Sequence, residues 1–168
     1  MRYAVKKKQP NSKMCMVCGL KNSFGLRAAF YELENDELMA VFTPRAEHQG
    51  YPNRLHGGIA ASILDETIFR AIMIKYSHEC FGVTVEFTSR YKKPIPLDAE
   101  IRVIGRITRD SSRMFEGSGE ILLKDGTIAV EGRGKYLKMD ISKLGDFDAQ
   151  EQEWHVVPSP HDPNEVEI

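Results

Sequence analysis

The chain has 168 residues, 42% hydrophobic and 28% charged, and its 23 lysines and arginines against 24 acids leave a formal net charge of −1. That length favours one domain able to bury roughly 70% of its unfolded surface, and the composition excludes collagen-like and wholly disordered classes. No run of about eighteen apolar residues occurs, so no membrane span is expected, and the near-neutral balance argues against a dedicated nucleic-acid binder.

Residues 1–13 carry five basic groups (Arg2, Lys6, Lys7, Lys8, Lys13) and no acid. This start lacks the apolar stretch and cleavage site of a secretory signal, and residues 1–14 read as a basic, solvated extension. The body is expected over residues 15–143. Three cysteines are too few for a disulfide scaffold and point to a reducing cytoplasm. Phe30–Tyr31 and Leu38–Phe42, separated by the turn formers Glu34, Asn35 and Asp36, predict a strand pair. Residues 44–56, with two prolines, predict irregular chain. Residues 57–76 then predict one long helix, whose Ile59, Ile63, Leu64, Ile68, Ala71, Ile72 and Ile74 cover most of its circumference, as in a helix surrounded by protein. Ser62, Asp65 and Glu66 form its one narrow polar stripe, which Phe69 and Met73 continue.

Beyond the helix the period changes to two. Val83, Val85 and Phe87 alternate with Thr84, Glu86 and Thr88 in a strand running to Tyr91, which the prolines at 94 and 96 end. Further strands follow over Ile101–Ile107, Phe115–Leu123 and Ile128–Met139, the last two joined by a turn containing Asp125-Gly126. Short connections imply an antiparallel meander, and the whole predicts an α+β domain, a curved antiparallel sheet wrapped around one long central helix. Residues 144–168 carry seven acids, three prolines and no lysine or arginine. They read as an extension partly disordered or laid over the body, and their charge also allows them to dock on the basic start.

His56-Gly57-Gly58 followed by Asp65 is the most informative stretch. Two glycines opening a helix cost roughly 1 kcal/mol each relative to alanine and permit close backbone approach. The first amides of a helix lack intrahelical partners. The Gly57 amide therefore suits an oxyanion donor, and tight packing of helix on sheet explains the glycines equally. Glu66 has a local partner in Arg70 at i+4, an arrangement that contributes about 0.3 kcal/mol. Asp65 has none, with Ile68 and Phe69 at i+3 and i+4 and Ser62 at i−3. An unpartnered aspartate among isoleucines either anchors tertiary structure or attacks an acyl carbon or deprotonates water.

Residues 54–67, R-L-H-G-G-I-A-A-S-I-L-D-E-T, resemble the signature of hotdog-fold acyl-CoA thioesterases, and within them the phenylacetic-acid-degradation type. The resemblance extends from about Cys15 to Met139. It takes in Cys-Met-Val-Cys-Gly with Phe24-Gly25-Leu26, His48-Gln49-Gly50-Tyr51-Pro52, Gly82-Val83-Thr84-Val85 and Tyr91-Lys92-Lys93-Pro94. It implies a hotdog fold assembled as a homodimer or dimer of dimers, acting on acyl-CoA without a cofactor or metal. Asp65 would be nucleophile or general base, Gly57 the donor to the thioester oxygen and His56 a pocket-shaping residue. Thr84 would be a hydroxyl near the carboxylate, often supplied by a partner subunit. The asparagine or glutamine that many relatives place upstream has no clear match, since the loop offers Gln49 and Asn53 while Gly50 stands at the expected place. Gly58 and Phe69 would line the substrate, and coenzyme A phosphates would need cations such as Arg90, Lys92, Lys93 or Arg113. Each of these also reads as an ordinary solvated charge. Cys15-x-x-Cys18 is half a zinc knuckle that only His155 and His161 could complete, and a buried, reduced pair is the simpler reading. A non-catalytic acyl-CoA binding module is the alternative function, and a hydratase a third option.

Overall fold

The computed structural model describes residues 1–77, 80–140, 143, 145 and 147–168, so the expected boundary at residue 144 and the acid Asp146 lie outside the described residues. In chain order the elements are β1 (Arg2–Lys8), β2 (Ala29–Leu33), β3 (Leu38–Phe42), a 3-10 turn (Ala46–His48), α1 (Gly57–Arg70), α2 (Ile72–Tyr76), β4 (Cys80–Tyr91), β5 (Ile101–Asp110), β6 (Met114–Leu122), β7 (Ile128–Asp140) and β8 (Glu165–Glu167). The strands form one sheet in the order β4-β7-β6-β5-β3-β2-β1-β8, antiparallel throughout. α1 packs against β3 to β7, which makes the predicted sheet around a central helix.

The helix buries Ala60, Ile63, Leu64 and Ile68 against the sheet, each large side chain contributing about 1.5–3 kcal/mol relative to exposure. The single helix expected over 57–76 is interrupted at Ala71, whose amide bonds to the Ile68 carbonyl at 3.2 Å, three residues back rather than four. Helix and sheet approach closely because Gly105, Gly119 and Gly132 pair side by side across β5, β6 and β7 beneath α1. A Cβ at Gly105 would lie 2.6 Å from the Thr67 carbonyl oxygen, and one at Gly132 would lie 2.7 Å from Leu64.

The alternation expected in β4 holds only in part. The β4–β7 register shifts between Thr84 and Glu86, so Val85 bulges and the inward phase changes there. Before the bulge Gly82 and Thr84 face the helix; after it Phe87 does. Val83 and Val85, which unbroken alternation would place on one face with Phe87, are 37% and 61% exposed.

The ends are not solvated tails. β1 extends the sheet beyond β2, and β8 pairs with β1 through Arg2–Glu167, Tyr3–Val166 and Ala4–Glu165. Lys8 Nζ bonds to Asp162 at 2.6 Å and Tyr31 Oη donates to the same carboxylate at 2.8 Å. Apolar burial drives the docking as well as charge: Tyr31, Leu33, Met39 and Ile104 form a second cluster completed by Val166 and flanked by Tyr3, Val5 and Ile168. β2 and β3 are therefore buried on both faces, which a polar alternation cannot signal.

Candidate active site

His56 caps α1 with its side chain, Nδ1 accepting from the Gly58 amide at 3.0 Å. This capping bond fixes the imidazole at the helix entrance, and it occupies the Gly58 amide. The Gly57 amide donates to no acceptor among the described residues, and Gly57 is an exposed residue. It is thus the open donor at the positive end of the helix dipole. Tyr91 Oη donates to the Gly57 carbonyl at 2.6 Å, tying the end of β4 to the helix start.

Two turns along α1, Asp65 is half-buried and both its oxygens are engaged. Thr84 Oγ1 donates to Oδ2 at 2.9 Å and Tyr136 Oη to Oδ1 at 2.9 Å. The Val85 bulge is what turns Thr84 toward the helix. Tyr136, fully buried on β7, stacks on Phe115 and meets Phe69 edge-on. Burial pushes the Asp65 carboxyl above the ordinary carboxylate range, while the Thr84 and Tyr136 hydroxyls pull it back. Burial, the charge on Asp65 and the hydrogen bond to it raise the Tyr136 phenol, which keeps it a proton donor. The arrangement is a desolvated carboxylate, oriented by two hydroxyls and capable of nucleophilic or general-base work.

The preceding loop is self-satisfied. Gln49 Oε1 accepts the Asn53 amide at 2.8 Å, and Asn53 adopts a left-handed backbone (φ 57°). Gly50 packs against His56, where a Cβ would meet its Cα at 3.1 Å. His48, buried and central to the loop, accepts the Arg45 amide at Nδ1 (3.0 Å) and reaches the Phe24 carbonyl through Nε2 (2.8 Å). Arg90 and Lys92 flank Tyr91, beside the helix start, with Lys92 paired to Glu131. Arg113 lies in the β5–β6 turn near Asp110, which binds Lys75 and Tyr76 of α2. That is the far end of the helical segment, so one chain does not bring Arg113 to Gly57. Met73 is core, 1% exposed.

Glu66 and Arg70 do pair, at 2.9 Å, yet they do so inside the protein, at 8% and 2% exposure. The i,i+4 pair expected from sequence is a buried one, because the N-terminal loop and Trp154 cover that side of α1. Tyr136 is the residue that sequence reasoning missed. It lies 71 residues from Asp65 and only the β7 register brings it there.

Residues 53–130 match the family model of the thioesterase superfamily. Over this stretch the chain is similar to the thioesterase superfamily. Acyl-coenzyme A thioesterase THEM4 of rat is 30% identical over 117 residues, 69% of this chain and 49% of that protein. The mouse THEM4 protein is 26% identical over the same length. The chain spans about half the length of the curated relatives it matches. Among solved structures, a thioesterase superfamily protein aligns with TM-score 0.67 and 24% identity over 74% of this chain and 63% of its own. Thioesterase HI1161 from Haemophilus influenzae aligns with TM-score 0.66 and 10% identity over 76% and 89%. The E. coli PaaI protein from the phenylacetic acid degradation operon aligns with TM-score 0.61 and 15% identity over 68% and 80%. The long antiparallel sheet around one helix is the hotdog fold of these thioesterase structures.

Proposed function

We propose that this chain hydrolyses an acyl-CoA thioester to a carboxylic acid and free coenzyme A. The observation that carries the reading is Asp65, a desolvated carboxylate held by Thr84 and Tyr136 on the helix that the Gly57 amide opens. Asp65 either attacks the thioester carbon, expelling the coenzyme A thiolate to leave a mixed anhydride that water cleaves, or deprotonates a water that attacks directly. In both routes the carbonyl oxygen gains negative charge, which the Gly57 amide stabilises without reorganising. The exposed His56 ring shapes the entrance, its Nδ1 being engaged by the cap. Arg90 and Lys92 face the phosphates, Gln49 and Asn53 form the loop wall beside Gly58 in the first turn of α1, and Phe69 meets the acyl group.

Gly57 and Asp65 are eight residues apart, about 12 Å along the helix axis. A donor and a nucleophile acting on one carbonyl must each lie about 3 Å from it. The Gly57 and Asp65 that serve one thioester therefore come from two chains, and the working unit is a homodimer or a dimer of dimers. β4 suits this pairing, with one edge free in the sheet order and Val83 and Val85 exposed beside it.

The test is a thiol-release assay over short, long and aryl acyl-CoAs. Asp65→Ala is expected to lose at least about a hundredfold in kcat, and undiminished turnover would remove Asp65 from the mechanism. One observation favours the alternative of an acyl-CoA binding module: the Gln49 side-chain oxygen already accepts the Asn53 backbone amide within its own loop. Saturable acyl-CoA binding with no thiol release from any substrate would decide for that module.

A further inference from the structure

On the face of α1 next to Asp65 lies a second cluster that thioester hydrolysis does not use. Cys15 and Cys18 belong to the loop between β1 and β2, and their sulfurs and the Glu66 carboxylate lie within 4.8 Å of one another. The Gly19 amide closes the turn onto the Cys15 carbonyl at 2.8 Å, where a Cβ would stand only 2.4 Å from that oxygen. The Val17 and Cys18 amides point at Cys15 Sγ from 3.3 and 3.5 Å. Glu66 Oε2 is 3.4 Å from that sulfur, and Ser12 Oγ is 3.2 Å from Cys18 Sγ. Beneath them Arg70 binds Glu66 Oε1 and the Pro10 carbonyl, its guanidinium 4.2 and 4.9 Å from the rings of Phe30 and Trp154. Both cysteines line a cavity of about 370 Å³ walled by Met14, Phe69, Phe81 and Trp154, Cys15 half-buried and Cys18 only 1% exposed.

We propose that Cys15 and Cys18 form a dithiol–disulfide couple that exchanges with a low-molecular-weight disulfide such as oxidised glutathione, Cys15 attacking and Cys18 resolving. The geometry separates the roles. Cys15 is reachable from the cavity and has two amide donors aimed at its sulfur, the arrangement that stabilises a thiolate. Cys18 is shielded and close enough to close a disulfide of about 2.05 Å by side-chain rotation.

In the first step the Cys15 thiolate attacks one glutathione sulfur; the S–S bond breaks and one glutathione thiolate leaves, to be protonated by water. Cys18 then gives its proton to Glu66, the base in reach, and attacks Cys15 Sγ in the mixed disulfide. The second glutathione leaves, and the protein has lost two electrons to the two glutathiones now reduced. The electrostatics agree with Cys15 as the attacking thiol, while the hydrogen bond to Cys15, burial and the Glu66 charge raise the Cys18 thiol and keep it protonated until Cys15 has reacted. The Cys18 thiol donor and the Cys18 and Val17 amides outweigh burial and lower the Cys15 thiol to about 5. Burial raises Glu66 to about 7, suiting it to accept a proton near neutrality.

Intact-mass measurement of the full chain in glutathione buffers tests the couple. Oxidised wild type should lose the mass of two hydrogens, reversibly with dithiothreitol. Cys18→Ser should instead gain one glutathione at Cys15, and Cys15→Ser should do neither. At pH 6 iodoacetamide should label wild-type Cys15 about tenfold or more faster than Cys80, whose thiol burial raises. This labelling needs no variant to fold. The proposal is overturned if both thiols stay free at every glutathione ratio, or if Cys15 labels no faster than Cys80. It is equally overturned if the purified protein carries one equivalent of zinc whose chelation is what exposes the thiols.

Discussion

At Asp65 two opposing effects meet, and their balance makes a measurable pH dependence. Burial favours the protonated carboxyl, and the Thr84 and Tyr136 hydroxyls favour the carboxylate. Only the carboxylate can attack or accept a proton, so the rate should fall as pH drops through the raised Asp65 value, an acid limb above the ordinary carboxylate range. Tyr136→Phe removes a donor to the charged form, so that limb should move further up and the neutral-pH rate should fall roughly tenfold. A pH–rate profile that leaves the limb in place would show the phenol to be packing only. Asp65, Gly57 and His56 were legible as residue types at a spacing, and Thr84 through the family resemblance alone. Tyr136 was not, because a β-strand tyrosine 71 residues away carries no local mark of the side chain it meets.

Among the elements, two features of the sheet set the site's dimensions. The Val85 bulge reverses the phase of β4, so Thr84 points at Asp65 and Val83 points outward. A period-two reading carries no sign of an inserted residue, so it puts Val83 and Val85 on one face with Phe87. The Gly105–Gly119–Gly132 row sets the distance between helix and sheet. Gly105→Ala places a methyl group against helix backbone, with the Thr67 carbonyl carbon at 2.8 Å as well as its oxygen. Backbone cannot rotate aside as a side chain can. The substitution should cost about 1–3 kcal/mol, read as a lower denaturant midpoint with an unchanged slope. The elements themselves were largely readable, since four of the strands and the helix follow clear periods.

For the molecule as a whole, the charged ends and the free β4 edge are the features with consequences. Asp162 joins Lys8 and Tyr31 across the chain's two ends. Asp162→Asn should therefore speed amide exchange over residues 155–168 while exchange in α1 keeps its native rate. Unchanged exchange there would mean that the Val166 cluster alone holds the end. If the site is shared between two chains, specific activity should fall on dilution in step with the dimer fraction measured by sedimentation. A monomer active at full rate would refute the shared site.

Sequence alone determined the α+β class, the helix within a meander, and the His-Gly-Gly and aspartate pattern, because hydrophobic period, turn residues and helix-start chemistry are local properties. Tertiary structure alone decided where the ends go, what holds Asp65 and how deep Glu66 and Arg70 lie. Each of these depends on strand register and on which distant segment covers a face. The net charge of −1 illustrates the division: its cancellation between basic and acidic ends could be counted in the sequence, but their pairing as neighbouring strands required the fold.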